Sequence, residues 1–198
     1  MDDLAAVLVA ARAGDGAAFS ELWRRHSGQV ARYLRAHGVD AVDDVTSEVF
    51  LAVLQGMRRF DGDGKAFRAW LFTIAHHRAV DEVRRAARTV KIYPYDVETD
   101  PRSVLSAEDS ALEALSEQET RALLSVLTPE QRHVLLLRFV ADLAIEQCAA
   151  VMSRSPDAVK KLQRRAIARL RRELDAARPG TAPRPLAAVA QRLQVRHD

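Results

Sequence analysis

Residues 143–174 read LAIEQCAAVMSRSPDAVKKLQRRAIARLRREL and contain two helical patterns separated by a short polar break. The first pattern places four apolar or small residues at the i, i+3, i+4 and i+7 spacing of one helix face: Ile145, Cys148, Ala149 and Met152. Ser155 and Pro156 then predict the start of a second helix, because a hydroxyl can cap free N–H groups and proline needs no N–H at the first helical position. The two helices and their turn predict a helix-turn-helix.

The second helix of this pair is amphipathic and strongly basic. Its apolar face carries Val159, Leu162, Ala166 and Leu170. Much of the remaining surface is cationic or polar, with Lys160, Lys161, Gln163, Arg164, Arg165, Arg169, Arg171 and Arg172. Such a face is typical of a helix that contacts DNA phosphates, and it is also typical of an ordinary solvated helix. These residues favour DNA binding and leave the role on DNA open.

The size and composition of the chain limit its possible classes. A chain of 198 residues forms one ordinary domain or two small ones, and a hydrophobic content of 48% is sufficient for packed cores. The formal net charge is only +3, so the basic character is local, in the helix after Ser155 and around residues 84–88. Such patches fit nucleic acid better than a membrane surface. Because no apolar run has the length of a membrane span and no secretion signal is recognisable, we expect a cytoplasmic protein without membrane insertion.

The candidates for catalytic and metal sites are weak. Cys148 is the single cysteine, so it forms no intramolecular disulfide, and its helical phase favours a buried structural thiol over a redox switch. The histidines include no i, i+4 pair of the zinc-protease type. Asp43, Asp44 and Glu48 could hold a metal ion, but acidic residues in a first helical turn are more often explained by the helix dipole. We therefore expect no catalytic residue, no cofactor and no metal.

Helical periodicity extends over nearly the whole chain, and no segment alternates as a strand would. It predicts a short helix ending near Gly14, a second helix capped by Asp15 and ending at Gly38, a third starting near Asp43, and a long fourth from Lys65 to Arg88. The third helix carries on its apolar side Val49, Phe50, Val53, Leu54 and Met57. In the fourth, the residues expected to face inward are Phe67, Trp70, Leu71 and Ile74.

The pattern then divides the chain into two parts. Residues 89–106 contain two prolines and no helical stripe, which predicts an interdomain linker. Helical pattern resumes near residue 107, and the segment from Thr128 to Gln131 has the residues of a capping box. We predict an all-α protein with two small helical domains, residues 1–88 and 107–178, joined by a flexible linker, with the helix-turn-helix in the second domain and a tail at 179–198.

The first half also contains aromatic residues close to cations. Phe60, Phe67, Trp70 and Phe72 lie around a glycine-rich loop at residues 60–64. The helix after this loop carries His76, His77, Arg78, Arg84, Arg85 and Arg88. Single-stranded nucleic acid is bound by rings that stack on bases and arginines that hold phosphates. The alternatives are ordinary core packing, which we favour for Phe67 and Leu71, and plain surface pairing of Asp81 with the arginines that follow it.

Both halves together resemble the extracytoplasmic-function (ECF) sigma factors of bacterial RNA polymerase. The segments FSELWRRH, DDVTSEVFLAVL and FDGDGKAFRAWLFTIAHHRAVDEVRR are similar to region 2 of that family. Residues 127–174, from LTPEQRHVLLLRFV to the end of the second basic helix, are similar to region 4. Each motif alone is moderately specific, whereas their order with a linker between them is highly specific.

The resemblance implies a role for each surface. The residues implied in docking on the clamp helices of the largest polymerase subunit are Asp44, Glu48, Val49 and Phe50. Those implied in −10 recognition are Phe60, Asp61, Gly62, Trp70, His77, Arg78, Asp81, Arg84 and Arg85. Those implied in −35 recognition are Asp157, Ala158, Lys160, Lys161 and Arg164. The implied partners are core polymerase, including the flap of its second-largest subunit, promoter DNA and an anti-sigma factor.

Four positions depart from the family pattern. Members usually have glutamine where Ser47 stands, asparagine where His77 stands, isoleucine where Cys148 stands, and glycine where Ser153 stands in the turn of the helix pair. The competing hypothesis is a stand-alone helix-turn-helix regulator that does not require core polymerase. It accounts for the second half and leaves the DDVTSEVF and FRAWLFTIAHHR segments unexplained. A nucleic-acid-processing enzyme is disfavoured because the sequence shows no convincing metal or nucleophile constellation.

Overall fold

The computed structural model describes residues 3–90 and 122–176 of the chain, and every regular element within these ranges is helical. The first range contains four α-helices: α1 (Asp3–Arg12), α2 (Gly16–His37), α3 (Val42–Gly56) and α4 (Gly64–Val90). A 3-10 turn, Met57–Arg59, follows α3 directly. The prediction of an all-α fold is confirmed.

Local signals set both ends of α2. The Asp15 carboxylate accepts hydrogen bonds from the backbone N–H groups of Ala17, at 2.7 Å, and Ala18, at 3.3 Å. These bonds cap the first helical turn, whose N–H groups have no partner within the helix. Gly38 ends the helix in the left-handed conformation, with a φ of 89° that only glycine adopts at little cost. Both ends lie where the sequence predicts them.

The core of the first half lies between α2, α3 and α4. Its largest fully buried side chains, with Leu8 contributed by α1, are Leu8, Leu22, Val30, Tyr33, Leu34, Phe50, Met57, Phe67, Leu71 and Phe72. The predicted core positions of Phe67 and Leu71 are confirmed. Phe72, considered above among the rings that might stack on bases, is fully buried and makes an edge contact with Tyr33 at 5.3 Å between ring centroids. It is a core residue and cannot contact a base.

The described part of the second half, residues 122–176, contains three α-helices after a helical end at residues 122–125. Helix α5 (Pro129–Leu135) begins at the predicted capping box. The Thr128 hydroxyl accepts from the Gln131 N–H at 3.3 Å, and the Gln131 side-chain oxygen accepts from the Thr128 N–H at 3.1 Å. A π-helical turn, Leu136–Val140, continues α5. Helices α6 (Ile145–Val151) and α7 (Pro156–Ala176) then form the predicted helix-turn-helix.

The backbone of the turn in the helix pair shows why glycine suits position 153, where this chain has serine. Ser153 has a φ of 52°, in the left-handed region that glycine adopts most easily. This is the position where the family usually has glycine. Before the turn, Cys148 is fully buried in α6, and this burial raises the pKa of its thiol to about 12. The prediction of a buried structural thiol is therefore confirmed.

The two halves contact each other through α2, α4, α6 and the π-helical turn. The Gln29 side-chain amide donates to the Val140 carbonyl at 2.6 Å, and the Gln147 amide donates to the Lys65 carbonyl at 3.1 Å. An ion pair joins Arg68 to Asp142 at 3.2 Å. Helix α4 includes residues 89–90, at the start of the predicted linker. The rest of that linker, the helix resumption at 107 and the tail at 179–198 lie outside the described residues.

Candidate nucleic-acid and polymerase interfaces

Helix α7 presents a cationic face to solvent. Lys160, Lys161 and Arg164 are exposed, whereas Val159 and Ala166 of the same helix are completely buried. This division follows the amphipathic pattern of the sequence, since burying the apolar face leaves the charged side chains outside. An α-helix with such a face fits the major groove of duplex DNA, where lysine and arginine can reach phosphates and base edges.

The start of α7 places two further predicted residues beside these cations. Ser155 caps the helix, because its hydroxyl accepts from the Ala158 N–H at 3.3 Å. Asp157 is exposed in the first turn, with its carboxylate 3.9 Å from the Lys160 ammonium. Ala158 is half-buried. Arg165, outside the predicted set, is also exposed and follows Lys161 by one helical turn. The structure therefore brings all five predicted −35 residues onto the first turns of one helix.

The loop between the 3-10 turn and α4 contains a stacked aromatic pair. The rings of Phe60 and Trp70 lie nearly parallel, with an interplanar angle of 14° and centroids 4.9 Å apart, and both are half-buried. Phe67 contacts both rings edge-on from the core. Offset stacking of this kind stabilises a defined ring orientation. The pair is partly exposed, and the stacking of single-stranded bases on it stays a prediction.

Two glycines allow the close packing around this pair. A Cβ on Gly56 would lie 2.7 Å from Cζ2 of Trp70, so the indole packs directly onto the α3 backbone. A Cβ on Gly62 would lie 2.6 Å from the Cβ of Ala66 and 3.0 Å from Phe60. Distances below 3.0 Å are not found for real Cβ contacts. Glycine is therefore required at both positions by the packing of the loop.

A residue that sequence reasoning missed supports the loop from α1. The Arg12 guanidinium donates to the Gly62 carbonyl at 3.0 Å and pairs with the Asp61 carboxylate at 3.3 Å. Its central carbon lies 5.7 Å from the centroid of the Phe60 ring. No pattern in the sequence connects Arg12 to residues about 50 positions away, so only the folded chain reveals the contact.

The exposed face of α4 carries the remaining predicted −10 residues: His77, Arg78, Asp81, Arg84 and Arg85. Arg78 forms an ion pair with Glu48 of α3, with a distance of 3.3 Å between the charged atoms. The pairing places a residue predicted to meet DNA next to one predicted to meet polymerase. The two predicted surfaces therefore adjoin along the boundary of α3 and α4.

Helix α3 requires a correction of the predicted polymerase surface. Asp44 and Glu48 are exposed one helical turn apart, as expected, but Val49 and Phe50 are buried, with exposed fractions of 0% and 1%. These two side chains pack in the core and cannot contact polymerase in this fold. Leu54 was predicted to face the core and is 49% exposed, and Leu51 is 54% exposed. The exposed face of α3 is thus part acidic and part apolar.

The carboxylate cluster considered above for a metal ion lies on α3. Within residues 3–90 and 122–176, no group of three or more His, Cys, Asp or Glu is arranged to hold a metal ion. Asp43 is one of the carboxylates considered above for a metal ion. Its backbone carbonyl, and not its carboxylate, accepts a hydrogen bond from the Ser47 hydroxyl at 2.9 Å. None of the helices in the described part of the chain is both long and apolar enough to span a membrane.

Two family models match the chain. The model of Sigma-70 region 2 matches residues 22–89, and the model of Sigma-70 region 4 matches residues 123–172. The first match includes α2 from residue 22 onward, α3 and the aromatic loop, and the second includes the helix-turn-helix. Helix α1, which carries Arg12, precedes both.

Curated relatives carry the same family description. The chain is 36% identical over 182 residues to the ECF RNA polymerase sigma factor SigD of Mycobacterium tuberculosis, covering 88% of this chain and 85% of SigD. It is 34% identical over 166 residues to the ECF RNA polymerase sigma factor BldN of Streptomyces coelicolor, covering 83% of this chain. The match spans 63% of BldN, slightly less than two thirds of that relative.

Solved structures show a similar arrangement of helices. CnrH, determined in complex with the cytosolic domain of CnrY, is 26% identical and superposes with a TM-score of 0.69, covering 89% of this chain and 100% of CnrH. The sigma factor RpoE of Bartonella quintana, determined with the anti-sigma factor NepR, shares the fold at 20% identity and a TM-score of 0.59, covering 81% of this chain and 98% of RpoE.

Proposed function

The chain belongs to the extracytoplasmic-function sigma factors of bacterial RNA polymerase, and we propose that it binds core polymerase, recognises the −10 and −35 promoter elements and promotes DNA melting and transcription initiation. The observation that carries the proposal is the exposed cationic face of α7 on a helix-turn-helix, in a chain whose other half presents a stacked aromatic pair. Duplex reading and base capture are the two tasks of promoter recognition.

The second half reads the −35 element through α7 in this proposal. Lys160, Lys161 and Arg164 supply phosphate and base contacts, and the exposed start of the helix enters the major groove. Each phosphate that a cation neutralises contributes about −0.9 to the slope of log affinity against log salt concentration. Binding by this helix alone is therefore weak at physiological salt, because the number of available cations is small.

The first half captures unpaired −10 bases in this proposal. Phe60 and Trp70 offer ring surface beside the cations of α4, and stacking of one base on an aromatic ring is worth about 1–3 kcal/mol. Trapping flipped bases drives strand separation without any catalytic group, so we infer that the chain acts as a binding subunit and not as an enzyme. Tethering two weak readers raises the effective concentration for the second contact and selects two elements together.

The polymerase-binding surface is proposed at the exposed face of α3. Asp44 and Glu48 supply negative charge, and Leu51 replaces the buried Val49 and Phe50 as the apolar contact. The clamp helices of the largest subunit and the flap of the second-largest remain the proposed polymerase sites. An anti-sigma factor is a further proposed partner, and we place the protein in the cytoplasm because polymerase and promoter act there.

Run-off transcription tests the proposal. Purified protein and core polymerase are incubated separately and together with fragments of genomic DNA. We expect specific transcripts only from the mixture, and co-purification of the chain with core enzyme. A chain that fails to bind core polymerase, or that binds a specific duplex tightly without it, contradicts the proposal and favours a stand-alone regulator.

A further inference from the structure

Arg12 of α1 contacts three consecutive residues of the loop that carries the proposed −10 site. One guanidinium nitrogen donates to the Gly62 carbonyl at 3.0 Å, and another pairs with the Asp61 carboxylate at 3.3 Å. The guanidinium also lies 5.7 Å from the Phe60 centroid. The Arg12 side chain is 29% exposed, whereas that of Asp61 is 99% exposed, so the arginine is held more firmly than its partner.

We propose that Arg12 is a positioning residue for promoter opening, a role that rests on the function proposed above. Its planar fork fixes the backbone between Phe60 and Gly62 and thereby holds the Phe60 ring against Trp70. A loop that is already ordered loses less conformational entropy when it captures a base. Lysine can form one of these contacts and cannot form the planar set, so Arg12→Lys is not a conservative change here.

Three variants test this role: Arg12→Ala, Arg12→Lys and the control Arg24→Ala, which removes an exposed arginine from α2 of the same half. Affinity for core polymerase is measured by fluorescence anisotropy, and promoter opening by 2-aminopurine fluorescence in the −10 element. A charge-assisted hydrogen bond of this kind corresponds to about 10-fold or more in rate. We expect Arg12→Ala to slow opening by about that factor, Arg12→Lys to slow it less, and both to bind core enzyme within about two-fold of wild type.

The double variant Arg12→Ala with Asp61→Asn separates positioning from general folding. The single variant Asp61→Asn is measured as well, because Asp61 is itself among the residues implied in −10 recognition. If both residues act through one loop conformation, the double variant slows opening by less than the product of the two single effects. Wild-type opening rates in Arg12→Ala, or an equal loss of core binding and opening, overturn the inference. A wild-type protein that does not open promoters at all contradicts the proposed function instead.

A second, independent feature lies where the two halves meet. His133 of α5 packs against His37 of α2 and His76 of α4, with ring centroids 4.5 Å and 4.7 Å apart. The centroids of His37 and His76 are 5.7 Å apart, and both rings are buried, with exposed fractions of 4% and 7%. Three histidine rings thus form part of the contact between halves that are connected in sequence only through residues 91–121.

Burial and neighbouring charges favour neutral rings in this cluster, in which the Tyr33 hydroxyl lies between two of the histidines. The Tyr33 hydroxyl lies 3.0 Å from Nδ1 of His76 and 3.1 Å from Nε2 of His37. The other groups acting on these rings are Arg132 and Glu130 of α5 and His77 of α4, of which only Glu130 favours a positive charge. Cys148 of α6 acts on Tyr33. Burial, together with charge repulsion, lowers the pKa of His76 and of His133 to about 4 and that of His37 well below its ordinary value.

We propose that this His37–His76–His133 cluster is a latch that holds the two halves together when its rings are neutral and releases the second half when they are protonated. Release matters for the proposed function because the two promoter elements are farther apart than the docked halves can span. A docked body of about 140 residues is about 40 Å across. The −10 and −35 elements, by their names, are about 25 base pairs apart, which is about 85 Å of duplex. The halves must therefore separate before both elements can be read at once.

The direction of the pH effect follows from the lowered pKa values. The docked state binds fewer protons than the open state, so it is favoured above about pH 6.5 and loses that advantage as the pH falls towards 4. If the pKa of His133 rises from about 4 to near 6.5 on release, opening is about 10-fold more favourable at pH 5.5 than at pH 7.5. If the pKa of His76 changes in the same way, the two groups together make opening about 100-fold more favourable at pH 5.5 than at pH 7.5.

Single-molecule energy transfer on the free full-length protein tests the latch without polymerase or DNA. Fluorophores are attached at Ser20→Cys and Ala168→Cys, two exposed positions in different halves, while the buried Cys148 is protected from labelling. The ratio of open to docked molecules is measured at pH 7.5 and 5.5, and circular dichroism checks that the helices remain folded. We expect the ratio in wild type to rise by about 10-fold to 100-fold.

Two variants decide whether the histidines are responsible. His133→Phe keeps an aromatic ring that cannot be protonated, and His133→Asn, a smaller neutral side chain, is measured in parallel; both should lose the share of the pH response that His133 contributes, about 10-fold. Arg68→Gln, which breaks the ion pair with Asp142, should open the protein at both pH values and keep the response. A wild-type ratio that changes less than about three-fold, or a full response in both His133 variants, overturns the latch. Neither result bears on whether the protein initiates transcription.

Discussion

Replacing Ser153 by glycine should stabilise the helix-turn-helix. Ser153 is exposed and has a φ of 52°, where an L residue with a Cβ is strained by about 1–2 kcal/mol relative to the right-handed conformation. Glycine removes this strain, but it also gains about 0.5–1 kcal/mol of conformational freedom in the unfolded chain. The difference predicts a net gain in the free energy of unfolding that is centred on about 0.75 kcal/mol, between limits of about 0 and about 1.5 kcal/mol.

Urea denaturation followed by circular dichroism measures this change, and hydrogen exchange of the α6 amides assigns it to the second half. Both tryptophans, Trp23 and Trp70, lie in the first half. The unfolding transition that their fluorescence reports should therefore have the same midpoint in Ser153→Gly as in wild type. The slope of free energy against urea should also stay constant, because the surface exposed on unfolding is the same.

Two control variants test the reasoning. Ser153→Ala keeps a Cβ and should remain within about 0.5 kcal/mol of wild type. Gly38→Ala makes the reverse change at a φ of 89° with no atom within 4 Å of the new Cβ, so it should destabilise the first half by about 1 kcal/mol through backbone strain alone. A destabilised Ser153→Gly, or equal stabilities of the Gly and Ala variants, would refute the assignment of strain to this turn.

Three further predictions follow from burial and charge. Phe50→Ala should lower the free energy of unfolding by about 3–5 kcal/mol in a denaturation experiment, because the ring is in the core. Unchanged stability would contradict this burial and favour the original prediction that Phe50 contacts polymerase. Lys161→Ala should weaken −35 binding and reduce the salt slope of affinity by about 1 in a titration of the holoenzyme, and an unchanged slope excludes a phosphate contact. His26 is buried and its pKa is lowered to about 4, chiefly by desolvation, so the unfolded chain binds more protons as the pH falls below about 6.5. The protein should therefore lose about 2 kcal/mol of stability between pH 7 and 5 through this group. In the same denaturation series, the stability of His26→Leu should fall by about 2 kcal/mol less than that of wild type, and an equal fall in both proteins contradicts the prediction.

The sequence predicted the local structure well because the responsible interactions span only a few residues. Asp15 caps a helix two residues later, and Thr128 and Gln131 bond across three positions. The alternation of Val159 and Ala166 with charged residues likewise fixes which side of α7 is buried. Such signals are visible in the chain before it folds, since propensity, capping and periodicity are all short-range properties.

Packing between helices corrected the assignment of side chains to surfaces. Val49 and Phe50 were predicted both to line the apolar side of α3 and to contact polymerase, and their burial supports only the first. Leu54 belongs to the same apolar pattern and is half exposed. Periodicity locates an apolar stripe on a helix, but the neighbouring helices decide how wide a part of it they cover.

The sequence by itself determined that the described part of this chain is helical, that this part ends with a basic helix-turn-helix, and that its motifs are those of an ECF sigma factor. Tertiary structure alone decided that Arg12 holds the loop at Asp61 and Gly62, and that His133 meets His37 and His76. These partners are about 50 to 100 positions apart in sequence. Contacts at such separations depend on how whole helices pack, and no local pattern records them.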